Sequence, residues 1–145
     1  MIALIQRVNW ARINIGDKPH ADIKLGVLVF IGVEKTDTDS IANKLLDKIL
    51  AYRVFADLEG RMNLNLKDVE GDLMLVSQFT LAADTNSGLR PSFSTAMEPI
   101  VAEEIYDRLV ETAKSKHTIV RSGQFAADMQ IALENNGPVS FILSS

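Results

Sequence analysis

The amino-acid sequence predicts an α/β fold in which mixed β-sheets are layered against two main helices. Alternating or continuously apolar stretches, typical of strands, open the chain, recur in its middle and close it, whereas two other segments repeat apolar residues at helical spacing. The resulting order of strands and helices is that of neither a strictly alternating parallel sheet nor an all-β sandwich. No linker or repeat divides the 145 residues, so one domain is expected over residues 1–145.

Three strands are expected in the first third of the chain. Apolar and polar residues alternate over residues 2–8 and again over 13–15, which favours strands with one buried face. Turn-forming residues occupy positions 16–19 and end this alternating region. The dense apolar run from Leu25 to Val33 then predicts a fully buried strand.

The first helix is predicted after Thr36–Ser40, whose side-chain oxygens can cap a helix. Asp37 and Asp39 are interpreted as capping and first-turn carboxylates, which the helix dipole favours. Apolar residues then recur every fourth position in two parallel rows: Ile41, Leu45 and Ile49, and Ala42, Leu46 and Leu50. The helix is expected to reach Tyr52 or Phe55.

The second half of the chain predicts a strand, a helix and a return to strands. A strand is expected from Asp72 to Thr80, and a helix from Pro99, a favoured first helical residue, to about Lys116. The apolar face predicted for this helix consists of Ile100, Val101, Ile105, Leu109 and Val110. Further strands are expected at 119–120, 129–133 and 139–143, with Asn136-Gly137-Pro138 as a hairpin connection between the last two.

Composition excludes several kinds of chemistry. The chain contains no Cys, so disulfides, zinc–thiolate sites and a Cys nucleophile are impossible, and only His20 and His117 can supply imidazole. A net charge of −4 argues against a protein that coats nucleic acid through phosphate contacts, DNA included. The chain shows neither a signal-peptide pattern nor an apolar run long enough to cross a bilayer, so a soluble cytoplasmic protein without a membrane partner is expected.

The strand expected from Asp72 ends in a cluster of side chains able to do chemistry. Ser77, Gln78, Phe79 and Thr80 come after a continuously apolar stretch, and functional groups often lie where a buried strand reaches the surface. The alternative is structural: Ser77 and Thr80 satisfy local backbone groups while Gln78 faces solvent. The pattern favours neither a Ser/His/Asp triad, since Ser77 lacks the usual Gly-x-Ser-x-Gly setting, nor a bound metal.

The loop at residues 84–93 carries Arg90, which can meet a phosphate or a carboxylate. A surface turn with a solvated arginine explains the same residues equally well. Phe125 and Met129 can line a pocket for a nucleobase, although an aromatic residue and a methionine near strands are more often part of the core.

Two short motifs resemble those of the D-aminoacyl-tRNA deacylases: Ser77-Gln78-Phe79-Thr80-Leu81 and Asn136-Gly137-Pro138-Val139. Further segments match that family in order and spacing over essentially the whole chain: Gln6-Arg7-Val8, Gly32-Val33, Met62-Asn63-Leu64, Arg90-Pro91-Ser92-Phe93 and Gly123-Gln124-Phe125-Ala126-Ala127-Asp128-Met129. Asn136 departs from the family pattern, in which Asp is more frequent before the Gly-Pro pair.

The resemblance implies a layered β/β/α homodimer that hydrolyses the ester between a D-amino acid and the terminal adenosine of tRNA, without a metal or other cofactor. It also implies that Gly137-Pro138 has a cis peptide bond and enters the active site of the partner subunit. There it would exclude L-aminoacyl-tRNA while admitting glycyl-tRNA, since glycine has no side chain to exclude.

The resemblance also assigns roles to individual residues. Backbone N–H groups of the segment from Ser77 to Thr80 would stabilise the oxyanion, and Gln78 would help to position the substrate. Phe125 and Met129 would help to hold the terminal adenine, and Arg7 would buttress the Gly-Pro turn.

Two mechanisms are open: Thr80 forms an acyl-enzyme, or the ribose 2′-OH of the tRNA assists water, and the second is favoured because no base accompanies Thr80. Two other functions remain as alternatives, a non-catalytic dimeric binding module and a small-molecule esterase that uses Ser77.

Overall fold

A computed structural model describes residues 1–86 and 88–145 of the chain. Its strands are β1 (Ile2–Ile15), β2 (Lys18–Ile23), β3 (Gly26–Gly32), β4 (Phe55–Ala56), β5 (Met62–Leu64), β6 (Asp72–Ser77), β7 (Val120–Ser122) and β8 (Met129–Ser144). The helices are α1 (Asp39–Ala51) and α2 (Pro99–Lys116), with a 3₁₀ helix at Phe79–Ala82. The predicted α/β class, with a mixed sheet and two main helices, is confirmed. Within the described residues, no helix has the length and hydrophobicity needed to cross a membrane.

The six-stranded sheet is organised around β1. One edge of β1 pairs with β3 through its first half and with β2 through its second half, while β8 runs antiparallel along the other edge. Beyond β3 the sheet continues with β6 and β7, both added in parallel. Because β2 also contacts β6 and β7, the sheet curls back toward itself in the manner of an incomplete barrel.

Alternation along the central strands creates two cores. Val27, Val29 and Ile31 of β3 face a core shared with both helices, whereas Leu28 faces a second core between the curled parts of the sheet. The same division holds in β6, where Leu73 and Leu75 face the helices and Met74 and Val76 face the second core. The continuously apolar runs in the sequence therefore arise because both faces of these strands are buried.

Helix α1 begins where the sequence predicts, with Thr38 as its N-cap. Its buried residues, Ala42, Leu45, Leu46 and Ile49, are four of the six predicted from the spacing. The interpretation of Asp37 as a capping residue is wrong. Asp37 instead accepts hydrogen bonds from the Met1 amino group at 2.6 Å and from the Glu34 N–H at 2.6 Å.

The Met1 amino group, which also donates to Glu34 at 2.8 Å, carries a pH-dependent part of the stability. Burial alone would lower the pKa of this amine, but its hydrogen bonds to Asp37 and Glu34 outweigh burial and raise the pKa above the ordinary value of 8.0. A raised folded-state pKa stabilises the protein fully below the unfolded pKa, and this contribution disappears as the pH rises through the folded pKa.

We therefore expect Asp37→Asn to lower the free energy of unfolding by about 1–3 kcal/mol at neutral pH, because it removes the nearer of the two carboxylates that bind the buried ammonium and leaves Glu34 as the other. Denaturant unfolding of the parent and the variant, at pH values below and well above the pKa of the amine, checks this. The difference between them should shrink as the amine loses its proton. A difference that does not depend on pH would contradict the ion-pair explanation.

Helix α2 has the predicted bounds, but the prediction that Ile100 and Val101 belong to its buried face is wrong. Ile100 and Val101 are 69% and 44% exposed. The buried stripe of this helix consists of Ala102, Ile105, Tyr106, Leu109, Val110 and Ala113. With 3.6 residues per turn, Ile100 is rotated by roughly 150° from the centre of this stripe, so it faces away from the sheet.

The predicted hairpin at residues 136–138 does not exist. The two expected strands are parts of one strand, β8, and both are antiparallel to β1. The register passes from the Val8–Asn135 pair to the Gln6–Ser140 pair, so residues 136–139 bulge opposite Arg7 without reversing the chain. Because β1 is long enough to pair with both parts, the segment is a loop projecting from a continuous strand.

Candidate active site

The Ser77–Thr80 segment forms a tight turn at the end of β6. The strand ends at Ser77, not at Thr80 as the sequence predicts, and residues 79–82 form the 3₁₀ helix. Gln78 joins the two elements, because its N–H donates to the Ile31 carbonyl at 2.7 Å and its own carbonyl accepts from Leu81 at 3.1 Å. The chain therefore leaves the sheet at Gln78 and presents Phe79 and Thr80 to solvent.

Gly32 makes this turn possible. A Cβ atom at position 32 would lie 2.9 Å from the Leu81 Cβ and 3.4 Å from the Gln78 carbonyl oxygen. Only glycine therefore lets the 3₁₀ helix pack this closely on the end of β3. On the other side, the Thr95 hydroxyl donates to the Ala82 carbonyl and holds the last turn.

The turn presents backbone donors and one pair of side chains. Among the described residues, the N–H groups of Phe79 and Thr80 donate to no protein acceptor, since they precede the first bond of the 3₁₀ helix. The Gln78 Nε2 donates to Thr80 Oγ1 at 2.6 Å, so Gln78 does not simply face solvent. An amide NH₂ group cannot accept a proton, and this contact therefore does not make Thr80 a nucleophile.

Neither histidine lies where it could serve Ser77. The His117 ring is held at the C-terminal end of α2, with Nε2 2.7 Å from the Gly71 carbonyl. Gly71 lies just before β6 and Ser77 is its last residue, so the His117 ring and Ser77 lie at opposite ends of the strand, roughly 20 Å apart. His20 is exposed in β2 beside Ile13 and Asn14 of β1, whereas Ser77 is in line with Ala3, roughly 30 Å away along that strand. Within residues 1–86 and 88–145, no group of three His, Asp or Glu side chains is arranged to hold a metal ion.

Two exposed aromatic rings flank the turn. The Phe79 and Phe93 side chains are 59% and 42% exposed, and their ring centroids lie 5.0 Å apart. Backbone hydrogen bonds of 2.8 and 3.0 Å between Asp84 and Ser92 close the loop that brings them together. Arg90 is exposed in this loop, as the sequence predicts for either of its two interpretations, and Ser87 of the same predicted loop lies outside the described residues.

Phe125 and Met129 lie next to the strand that leads into Ser77. The Phe125 ring packs against Tyr106 of α2, with the centroids 6.0 Å apart, and the Tyr106 hydroxyl donates to the Leu75 carbonyl at 2.9 Å. A Cβ atom on Gly123 would lie 2.6 Å from the Met129 sulfur, so Gly123 admits the Met129 side chain. Phe125 and Met129 are both only half-buried, which leaves part of each available for a ligand.

The apolar face predicted for α2 did not include Tyr106, although its position next to Ile105 and three residues before Leu109 places it on the buried stripe of the helix. Burial raises the pKa of the Tyr106 hydroxyl. The group therefore stays protonated and acts as a donor that joins α2 to β6.

The Gly-Pro loop is the second candidate region. The peptide bond between Gly137 and Pro138 is cis, and the φ angle of Gly137 is +140°, a value that other residues rarely adopt. Arg7 lies beneath the loop, where its Nε donates to the Asn136 carbonyl at 2.9 Å and its Nη1 to the Val54 carbonyl at 2.6 Å. Asn136 itself donates through Nδ2 to Asn9 Oδ1 at 2.9 Å, a contact that Asp could not make.

Within one chain, the sheet register keeps the two regions apart. The Gly-Pro loop lies opposite Arg7, which is in line with Val27 and Leu73 on the next two strands. Ser77 lies four residues further along β6, and three strand spacings separate β8 from β6. These offsets correspond to roughly 15–20 Å, too far for one small substrate group to contact both regions.

Comparison with known proteins identifies the family. Residues 4–144 match the model of the D-Tyr-tRNA(Tyr) deacylase family. The chain belongs to this family. It is 54% identical to a D-aminoacyl-tRNA deacylase of Pseudomonas fluorescens (strain Pf0-1), with 100% of both chains aligned. It is also 52% identical to a D-aminoacyl-tRNA deacylase of Cellvibrio japonicus (strain Ueda107), over 99% of this chain and 98% of that protein.

Solved structures of similar proteins agree with the deacylase-family fold. A structure named c-Myc DNA Unwinding Element Binding Protein superposes with a TM-score of 0.96 at 32% identity, covering 100% of this chain and 99% of that one. A probable eukaryotic D-amino acid tRNA deacylase superposes with a TM-score of 0.88 at 16% identity, covering 99% and 98%. The second similarity supports the fold alone. The family model and the two aligned deacylases confirm the family resemblance read from the sequence motifs.

Proposed function

We propose that this protein hydrolyses the ester bond of D-aminoacyl-tRNA and releases the free D-amino acid and the tRNA. The observation that carries the proposal is that more than half of the aligned residues are identical to those of D-aminoacyl-tRNA deacylases, over essentially the whole chain. The proposed partner is the aminoacylated 3′ end of tRNA, and the proposed location of the reaction is the cytoplasm. With a net charge of −4, the protein binds that end through a pocket for the terminal nucleoside and few phosphate contacts.

The Ser77–Thr80 turn supplies the catalytic surface of the proposed site. The N–H groups of Phe79 and Thr80, which have no acceptor among the described residues, are suited to bind the oxyanion that forms on the ester carbonyl. One such donor is typically worth about 10²–10³-fold in rate. Gln78 positions the substrate next to them, and Phe125 and Met129 hold the terminal adenine. No metal or other cofactor takes part.

The nucleophile in the proposed mechanism is water, assisted by the 2′-OH of the terminal ribose. Among the described residues, the Thr80 hydroxyl hydrogen-bonds only to the Gln78 amide, and a hydroxyl needs a neighbouring base before it can attack an ester. The substrate's own 2′-OH lies next to the ester in every aminoacyl-tRNA. The protein then contributes positioning and oxyanion stabilisation, which explains why the chain can work without Cys and without a committed His.

Chiral selection is assigned to the Gly-Pro loop of a second copy of the chain. The register separation within one chain favours this arrangement, since the loop and the Ser77–Thr80 turn can share a substrate only if two chains combine. Backbone carbonyls of Gly137-Pro138 would grip the α-amino group and leave no volume for an L side chain. Arg7 supports the loop from below through the Asn136 carbonyl.

Parallel assays of D-tyrosyl-, L-tyrosyl- and glycyl-tRNA with chelator-treated protein test the proposal. We expect rapid hydrolysis of the D-tyrosyl and glycyl esters and slow hydrolysis of the L-tyrosyl ester, because only an L side chain is excluded. Equal rates on the two tyrosyl esters would refute selection by exclusion, and loss of activity with chelator would refute a metal-free reaction.

The same assay distinguishes the two alternative functions. A dimeric binding module would bind aminoacyl-tRNA without shortening the lifetime of its ester. A Ser77 esterase would hydrolyse simple activated esters without tRNA and would react with serine-directed phosphonates. The distance between Ser77 and His117 disfavours this esterase.

A further inference from the structure

One side chain, Asn135, closes the base of the Gly-Pro loop. Asn135 is the last residue of β8 paired with β1 before the loop, opposite Val8. Its Oδ1 accepts the N–H of Val139 at 2.7 Å, and its Nδ2 donates to Ser140 Oγ at 2.9 Å. One amide therefore connects the residue before the loop with the two residues that come after Pro138.

The two ends of the loop are held by different side chains. Arg7 holds the N-terminal end through the Asn136 carbonyl at 2.9 Å, and Asn135 holds the C-terminal end through the Val139 N–H. Gln6 Nε2 also donates to Ser140 Oγ at 3.2 Å, which connects the Asn135 contact to β1. Because residues 136–139 have no register partner in β1, these side-chain contacts limit the movement of the loop.

We infer that Asn135 is a positioning residue for chiral selection. By accepting the Val139 N–H, it determines how far the Gly137-Pro138 peptide projects from the sheet. Without this acceptor the half-buried Val139 N–H loses its partner, and the loop can retreat and leave room for an L side chain. The inference rests on the proposed function of the loop, because it concerns how the loop is held and not which substrate it meets.

The test compares Asn135→Ala with Asn135→Asp through the ratio of hydrolysis rates on D- and L-tyrosyl-tRNA. Asn135→Ala removes both contacts, and we expect it to lower the D/L ratio roughly tenfold. Asn135→Asp keeps an acceptor for the Val139 N–H and loses only the donor to Ser140, so its ratio should stay within about threefold of the parent. An unchanged ratio in Asn135→Ala, or an equal loss in Asn135→Asp, would overturn the inference.

Asn65→Ala is the matched control for general destabilisation. The Asn65 Oδ1 accepts the N–H groups of Lys67 at 2.9 Å and Asp68 at 3.0 Å, so this variant also removes an amide acceptor from a loop. It should leave the D/L ratio unchanged, and a fall equal to that of Asn135→Ala would attribute both effects to stability and overturn the inference. If Asn135→Ala and Gly137→Ala both leave the D/L ratio unchanged, the proposed function of the loop fails. If Gly137→Ala lowers the ratio but Asn135→Ala does not, only the inference fails.

Discussion

Gly137→Ala is expected to lower the rate of D-tyrosyl-tRNA hydrolysis by about hundredfold and to reduce discrimination against the L ester. A Cβ atom at this position would lie 2.6 Å from Val139 Cγ2, 3.0 Å from the Val139 nitrogen and 3.1 Å from Arg7 Nη2. The φ angle of +140° adds backbone strain for any residue with a side chain. The loop must therefore move, and a displacement near 1 Å in a positioning element costs on the order of 10²-fold in rate. Single-turnover deacylation of both tyrosyl esters measures this.

Gly16→Ala is the control for this substitution. Gly16 also has a positive φ, of +58°, but a Cβ atom there would have nothing within 4 Å. The control variant should lose a little stability and keep the parental rate and D/L ratio. If Gly137→Ala retains parental activity and selectivity, the loop has no part in the reaction.

Mixing Gly137→Ala with Gln78→Ala tests whether the loop acts across subunits. Each variant alone should have low activity. After the two are unfolded and refolded together, about a quarter of the parental activity should return, since half of the randomly paired dimers are mixed and each contains one intact composite site. Absence of recovery would place the loop and the turn in the same chain's site.

The ester of a D-aminoacyl-tRNA ending in 2′-deoxyadenosine is expected to be hydrolysed at least about hundredfold more slowly than that of the natural substrate, in line with the 10²–10⁴-fold typical of a lost proton-transfer group.

By contrast, Thr80→Val should retain activity within about tenfold of the parent. It keeps the side-chain shape and removes a hydroxyl whose partner in the structure is the Gln78 amide at 2.6 Å. Single-turnover rates of the two ester substrates with both proteins measure these effects.

The opposite pattern would establish the acyl-enzyme mechanism. In that case Thr80→Val would be inactive, the deoxy substrate would be hydrolysed, and an aminoacyl group would be found covalently attached to Thr80 after rapid acid quenching. A Thr80→Ser variant, which retains a hydroxyl, would then recover activity. An active Thr80→Ser variant beside an inactive Thr80→Val variant would therefore support Thr80 as the nucleophile even without a trapped intermediate.

Local patterns predicted most of the elements that hold the site. The apolar run at residues 25–33 became β3, and the bounds of α2 agree with the Pro99 and Lys116 signals, because both features depend on residues close in sequence. The errors lie where a distant partner decides. Asp37 binds Met1, the strand expected through Thr80 ends at Ser77 against β3, and the expected hairpin at 136–138 is a loop because β1 pairs with both of its sides.

The sequence by itself determined the composition limits, the two helices, the buried strand β3 and the two motifs whose family resemblance the comparisons confirm. These depend on the kinds of residues present and on short-range spacing. Only the tertiary structure decided that the Ser77–Thr80 turn presents free N–H groups and that the Gly-Pro loop bulges above Arg7 at a distance from that turn. Both depend on strand register, which leaves no local pattern in the chain: the turn depends on β3–β6 pairs 46 positions apart, and the loop on β1–β8 pairs more than a hundred positions apart.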